Sequence, residues 1–146
     1  MSADASPDET EAGGSERTTI EYSITMRVNG VSQAEIDAFT AGAEGWTVKP
    51  GADDIFLYPR EEDGGDVSAG EYLHGVLARH GKVFAAAAQI GRAREISLAI
   101  YFDADRIAAI CPDFDAAIIR QLADLNFSLE ICVFPSSFED DEGTEE

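Results

Sequence analysis

Residues 20–30 read IEYSITMRVNG, and this stretch sets the architecture expected for the whole chain. Every second residue from Ile20 to Val28 is apolar, and the residues between them are polar or charged. Strict alternation is typical of a strand with one face buried and the other in water. Asn29-Gly30 is a turn signal, so the half-buried strand is predicted to end there.

Two later segments show the same alternation. The apolar positions are Ile96, Leu98, Ile100 and Phe102 in the first, and Phe127, Leu129, Ile131 and Val133 in the second. A sheet covered by helices on both faces would instead have near-continuous apolar strands. The pattern therefore predicts an α+β fold, a two-layer sandwich whose mixed or largely antiparallel sheet has its helices on one face. The other face is expected to meet water or a partner.

Two helices are indicated by capping boxes, in which a serine and a glutamate three residues later satisfy each other's backbone donors. The pair Ser32 and Glu35 predicts a helix that stops before Gly42, and the pair Ser68 and Glu71 predicts a longer one that Gly81 kinks or divides. The apolar residues expected in their buried faces are Ile36, Phe39, Tyr72, Leu73, Val76, Leu77, Val83, Phe84, Ala87 and Ile90.

Two further elements have weaker signals. Segments 46–48 and 55–58 flank Pro50-Gly51 and predict a hairpin. Pro112 and Asp113 suit the first turn of a last helix. The apolar residues assigned to the buried side of that helix are Ile118, Ile119, Leu122 and Leu125.

Charge is distributed unevenly along the chain. Ten Lys and Arg against 29 Asp and Glu leave a formal charge of −19. Residues 1–17 carry −4 and residues 139–146 carry −6, and neither segment has apolar periodicity. Both are predicted to be disordered acidic tails around a single α+β domain at 18–138, for which a hydrophobic content of 45% is ample.

Composition also narrows the class of protein. A strongly negative surface repels phosphate backbones, so direct nucleic-acid binding is not expected, whereas basic proteins are suitable partners. No apolar run approaches the ~18 residues of a membrane helix, and the N-terminus lacks the features of a secretory signal. A cytoplasmic protein without membrane association is expected. Cys111 and Cys132 have no close cysteine partner, which suits a reducing compartment and predicts core or near-core packing.

Segments at the two ends of the domain resemble a known family. YSITMRVNG at 22–30, followed by Glu35-Ile36, and the helix and strand at 118–134 with their Leu122, Leu125 and Ser128-Leu129 pattern, resemble the bacterial domain-of-unknown-function family 4279. The resemblance covers roughly residues 18–134 and implies the same fold, with no established activity, cofactor or catalytic residue. The middle departs from the family pattern, because Pro50 interrupts the Lys-Gly step after Trp46 and segment 55–58 has no second Trp.

None of the reactive side chains forms a recognisable catalytic, cofactor or metal motif. His74 and His80 would lie about 120° apart on an ideal helix, and a zinc site would need further ligands from elsewhere. A calcium loop counted from Asp103 would place Ala108 and Phe114 where glycine and glutamate are required. The acids of this region are therefore expected to be solvated or to lie at helix ends. We predict no catalytic residue, no metal ligand and no cofactor.

The polar face of the sheet is the strongest interaction candidate. It would carry charged and aromatic residues together, namely Glu21, Thr25, Arg27, Tyr101, Glu130 and Phe134. Exposed aromatics among charges are typical of protein interfaces, although a solvated face partly covered by a terminus has the same pattern. The leading hypothesis is a non-enzymatic protein that binds a basic protein, as an inhibitor or immunity protein does. The alternatives are a small-ligand-binding or regulatory domain and, third, an enzyme whose site is assembled from residues distant in sequence. The oligomeric state is left open.

Overall fold

The computed structural model describes residues 19–60 and 67–137. The predicted acidic tails and the polar loop at 61–66 lie outside these residues. The elements in chain order are β1 Ile20–Asn29, α1 Gln33–Gly42, β2 Trp46–Pro50, β3 Asp54–Pro59, α2 Ala69–Arg79, α3 Gly81–Ala87, β4 Ala93–Asp103, α4 Ala116–Asp124 and β5 Phe127–Ser136.

The five strands form one mixed sheet in the order β2-β3-β1-β4-β5. Neighbouring strands are antiparallel except β4 and β5, which are parallel and are joined through α4. The predicted hairpin is confirmed, since Val48 pairs with Leu57 across β2 and β3. The α+β class and the largely antiparallel sheet are therefore as the alternation predicted.

One face of the sheet and the inner faces of the helices form a single core. Met26, Val28, Leu57, Leu98 and Ile100 are at most 1% exposed. The helix residues predicted to be buried pack against them, with Leu73, Val76, Phe84 and Ala87 most completely enclosed and Ile90 partly so. The sheet thus has its helices on one face, as in a two-layer sandwich.

Local signals set most helix boundaries. Both capping boxes form, with Glu35 N donating to Ser32 Oγ at 3.2 Å and Glu71 N donating to Ser68 Oγ at 3.1 Å. The first helix ends at Gly42 rather than before it. Gly81 begins α3, and only His80 separates it from the end of α2, so the predicted division there is confirmed.

The predicted start of the last helix is wrong. It begins at Ala116, where Asp115 Oδ1 accepts a hydrogen bond from Ile118 N at 3.0 Å. The preceding residues pass across the start of α2 instead, so close that a Cβ added to Gly70 would lie 2.5 Å from the Asp113 carbonyl oxygen. Phe114 packs against the core and holds this segment in a non-helical conformation. A local helix-start signal in the sequence carries no information about such tertiary packing.

The helix layer stops short of one corner of the sheet. Ile131 and Val133 have the apolar parity predicted for β5, yet they are 37% and 43% exposed. Ile119, assigned to the buried side of α4, is 54% exposed, whereas Ile118 and Leu122 are buried. α4 has only nine residues, or about 13 Å at 1.5 Å per residue. It therefore covers only part of β5, a strand of ten residues that is about two and a half times as long.

Candidate protein interaction surface

The side of the sheet opposite the helices is a surface of mixed chemistry, which we call the free face. All six predicted interaction residues lie on it, because the register gives them one parity: Glu21, Thr25, Arg27, Tyr101, Glu130 and Phe134. Phe56, Tyr58 and Cys132 lie there too. Tyr101 is half-buried, whereas Phe134 is 44% exposed.

An aromatic pair forms where β4 meets β5. Tyr101 and Phe134 are register partners, and their rings stack with centroids 5.1 Å apart at an interplanar angle of 19°. Glu21 completes the row as the register partner of Tyr101 on β1. Stacking fixes both rings before any partner arrives, so little side-chain entropy remains to be lost there on binding.

The middle of the free face is polar. Thr25 lies opposite Ser97, and Ser97 Oγ donates a hydrogen bond to Glu130 Oε1 across β4 and β5. Farther along, Arg27 Nε lies 3.5 Å from Asp54 Oδ2, both partly exposed. A pair of that length at the surface contributes little to stability, so Arg27 is held loosely.

The remaining part of this face carries a second aromatic group on β2 and β3. Phe56 is 43% exposed, and Lys49 Nζ lies 5.6 Å from the centroid of the Tyr58 ring. This group differs from the Tyr101–Phe134 pair in carrying a cation over its ring. The free face therefore carries aromatic rings at two places, at the Tyr101–Phe134 pair and at Phe56 and Tyr58. Lys49 lies over the Tyr58 ring at the second place.

Most of the acid excess lies outside the described residues. Residues 19–60 and 67–137 contain 14 acids and nine Lys and Arg, for a net −5. The other 33 residues hold 15 acids and one Arg, for −14. Where these segments join the sheet therefore decides where negative charge gathers.

Both terminal segments join the sheet at the same end. There Ile20, Phe102 and Pro135 lie in register, and we call it the Asp103 end. Asp103 N donates to Thr19 O at 2.9 Å, and the next backbone N–H donates to Ser136 O at 2.8 Å. Both terminal acidic segments are therefore attached to the sheet at that end.

The internal acidic segment joins the sheet on the same side. β3 runs from Asp54, opposite Asn29, toward the Asp103 end, and Arg60 follows its last residue. On the far side of the segment, Val67 O accepts a hydrogen bond of 2.6 Å from the Tyr22 hydroxyl, near the start of β1. All three acidic segments therefore attach toward the end that carries the Tyr101–Phe134 pair.

Asp103 is buried and stabilises the fold locally, whereas it was expected to be solvated or to lie at a helix end. Its side chain is fully buried, with Oδ1 accepting from Asp105 N at 3.0 Å and Oδ2 lying 3.4 Å from Arg106 Nε. Ser137 Oγ donates to Asp105 Oδ2 at 2.9 Å. These contacts fasten the turn after β4 to the end of β5. Within the described ranges, no group of three or more His, Cys, Asp or Glu is arranged to hold a metal ion.

The two histidines lie in different surroundings. His74 is exposed, whereas His80 Nδ1 accepts a hydrogen bond of 3.1 Å from Trp46 Nε1. Burial, and then the charge of Arg79, lower the pKa of His80 below its ordinary value. His80 therefore acts as a neutral acceptor for a buried tryptophan.

The prediction of core or near-core cysteines is wrong for Cys111, which is exposed in the irregular segment between β4 and α4. Cys132 is half-buried on the free face, because its parity in β5 is opposite to that of the core residues. Burial, followed by the charge of Glu130, raises the pKa of the Cys132 thiol.

A cavity of about 210 Å³ lies between β1 and the end of β3. It is lined by Ser23, Ile24, Thr25, Tyr58, Pro59 and Tyr72. It forms because the pairing of β1 with β3 reaches only Met26 and Leu57, so the two strands separate beyond that point. Sequence reasoning missed this gap; Pro59, which cannot donate to a ladder, was the available signal.

Comparisons with protein-family models, curated proteins and solved structures find no match to this chain. The resemblance to family 4279 therefore stays a prediction. The longest described helix has 11 residues, and no described helix has both the length and the apolar content required to cross a membrane.

Proposed function

We propose that this chain is a non-enzymatic protein that binds a basic protein partner, as an inhibitor or immunity-type protein does. The observation that carries the proposal is the Tyr101–Phe134 pair, stacked and partly exposed at the end of the sheet to which the acidic segments attach. Exposed aromatic residues are enriched in protein interfaces and among the residues that contribute most to binding.

Charge supports the choice of a basic partner. The segments outside the described residues carry −14, and their junctions at Thr19, Val67 and Ser137 lie toward the Asp103 end. A negative field at one end of a molecule accelerates encounter with a positive surface and orients it. The aromatic pair then supplies apolar contact area where that surface arrives.

A salt-controlled capture with matched variants tests the proposal. Immobilised wild-type protein should retain a specific basic protein from native lysate at low salt and release it as salt is raised, because screening shortens the electrostatic range. The Tyr101→Ala/Phe134→Ala variant should weaken binding of the purified partner at least tenfold, equivalent to about 1.4 kcal/mol.

The control is Phe56→Ala, which removes an equally exposed aromatic ring from the other side of the free face. It should bind like the wild type, and all three proteins should show the same circular dichroism spectrum. Recovery of no specific partner, or a partner held equally by both variants, would sink the proposal.

The cavity between β1 and β3 favours a second candidate, a small-ligand-binding or regulatory domain. Its volume of about 210 Å³ is below the usual range for drug-sized ligands, roughly 300–1,000 Å³, so only a small metabolite fits. A ligand bound there should raise the melting temperature of the wild type. It should do so less for Ser23→Ala/Thr25→Val, which removes two lining hydroxyls, while a screen without any shift would reject this candidate.

A further inference from the structure

The two edges of the sheet differ in how they are protected against pairing with another strand. β2, at one edge, has five residues and includes Lys49 and Pro50. Shortness, lysine and proline are the features that prevent an edge from pairing. β5, at the other edge, has ten residues and no lysine, and its single proline, Pro135, lies next to the end of the strand. A long apolar edge of this kind is a template for another strand.

Apolar side chains project on both sides of the β5 edge. Ile131 and Val133 are 37% and 43% exposed on the helix side, and Phe134 is 44% exposed on the free face. α4 packs on β5 and presents Ile119, which is 54% exposed. These are four of the six large hydrophobic residues that are exposed in the described part of the chain. The exposed apolar surface is therefore concentrated around one strand.

We propose that β5 pairs antiparallel with β5 of a second copy of this chain, about a two-fold axis at Cys132. Such an axis stands perpendicular to the sheet, so it joins two five-stranded sheets into one and leaves both helix layers on the same side. The α4 helices then flank the joint and cover Ile131 and Val133, whose exposure the single chain leaves unexplained. The proposal does not depend on the proposed function.

Charge selects the antiparallel direction. Parallel pairing would place the two Ser137 residues, and the six acids that follow each of them, at one end of the joint. Antiparallel pairing about Cys132 places Ser136 opposite Ser128 of the partner. The two acidic junctions are then eight residues apart along the strand, about 27 Å at 3.4 Å per residue. That separation exceeds the Debye length of about 8 Å at physiological salt.

In the antiparallel arrangement, each acidic segment lies near the start of β5 of the other copy, where the charges are balanced. Phe127 lies in register with Arg94, and Arg92 is exposed close by. These two arginines offset Glu95 and Asp124 at the same end of the joint. Antiparallel pairing therefore moves each acidic segment away from a like charge and toward a neutral region.

Side-chain chemistry selects the register. With the axis at Cys132, Ile131 lies opposite Val133 of the second copy, and Glu130 lies opposite Phe134. An axis at Glu130 would set two carboxylates against each other, which destabilises strand pairing. The chosen register brings the two Cys132 residues face to face, with Cα atoms about 4.5–5.5 Å apart. That distance is within the range of a disulfide.

Sedimentation velocity of the full chain at about 0.15 M salt, from low micromolar to submillimolar protein, tests the assembly. We expect a dimer that the Ile131→Lys/Val133→Lys variant converts to a monomer, because two charges would be buried in the joint. Thr47→Lys, in the protected edge strand β2, is the matched control and should remain dimeric. A wild type that is monomeric throughout, or a folded double variant that still dimerises, would overturn the proposal.

Oxidation tests the register. With Cys111→Ser as background, diamide takes up the two thiol hydrogens and should give a disulfide-linked dimer through Cys132. The Ile131→Lys/Val133→Lys substitutions should reduce that yield at least tenfold, since random collision would then be required. Absence of the disulfide in a protein that sediments as a dimer would overturn the axis at Cys132.

Discussion

β1 and β5 have the same length and nearly the same pattern of apolar residues, yet these residues are buried to different extents in the structure. Each has ten residues; apolar and polar side chains alternate strictly in β1, and they alternate in β5 as far as Val133, after which Phe134 and Pro135 are also apolar. In β1, Tyr22, Ile24, Met26 and Val28 are all at most 7% exposed. In β5 only Phe127 is buried to that extent, and exposure rises to 43% at Val133.

The difference comes from position in the sheet. β1 lies between β3 and β4 and under the helix layer, whereas β5 is an edge strand covered only near its start by the short helix α4. Alternation reports which face a residue belongs to, but it does not report whether another layer reaches that face. The apolar residues of β5 that no helix covers are therefore the ones on which the proposed pairing with a second copy rests.

The largest effect is expected from truncating two residues that are register partners, one on the covered strand β4 and the other on β5. Leu98 is fully buried and pairs with Ile131, which is 37% exposed. Leu98→Ala should lower the free energy of unfolding by about 2–5 kcal/mol. Ile131→Ala should lower it by no more than about 1.5 kcal/mol, because less apolar surface returns to water.

Urea unfolding at low micromolar protein measures both losses. The next register pair, Ile100 and Val133, provides an independent repeat on the same two strands. At a concentration where sedimentation shows a monomer, equal losses for Leu98→Ala and Ile131→Ala would mean that Ile131 is as buried as Leu98 in the single chain, and the comparison between β1 and β5 would fail.

A smaller effect is expected from pH on the covered side of the sheet. Burial and Arg79 lower the pKa of His80, so the unfolded chain takes up a proton at this residue before the folded chain does. The contribution of neutral His80 to stability is thus complete above its unfolded pKa of about 6.5 and is lost as pH falls below that value. Protonation at Nδ1 would also remove the acceptor for Trp46 Nε1.

Urea unfolding at about pH 7.5 and about pH 5.5, on either side of that unfolded value, measures this loss. His80→Gln should lose less stability over the interval than the wild type, because its side chain does not titrate. His74→Gln, at an exposed position of α2, is the control and should follow the wild type. A wild type and a His80→Gln variant with the same pH dependence would contradict the assignment.

The smallest effect concerns the two thiols. Cys132 in β5 is half-buried, and burial, Glu130 and Glu95 raise its pKa, whereas Cys111 is exposed. In single-cysteine variants at low protein concentration and mildly alkaline pH, Cys111 should react with a disulfide reagent several-fold faster than Cys132, since the thiolate is the reactive form. Glu130→Gln should accelerate Cys132 but leave Cys111 unchanged; equal rates for the two thiols would contradict this.

The sequence predicted which residues share the candidate surface but not how they are arranged on it. Alternation alone placed Glu21, Tyr101 and Phe134 on the polar face, and the register confirms that they share it. Their alignment in one row depends on β4 pairing with both β1 and β5, and on the parallel direction of the second pairing. Those pairings join residues far apart in the chain, so no local pattern specifies them.

The sequence by itself determined the α+β class, the parity of the three long strands and the starts of α1 and α2. These features depend on local chemistry, namely side-chain alternation and serine–glutamate capping within one turn. Only the tertiary structure decided that α4 starts at Ala116, that Ile131 and Val133 are uncovered, and that the acidic segments are attached toward one end of the sheet. Each of these depends on which elements become neighbours, and burial over the whole domain, rather than local propensity, sets that choice.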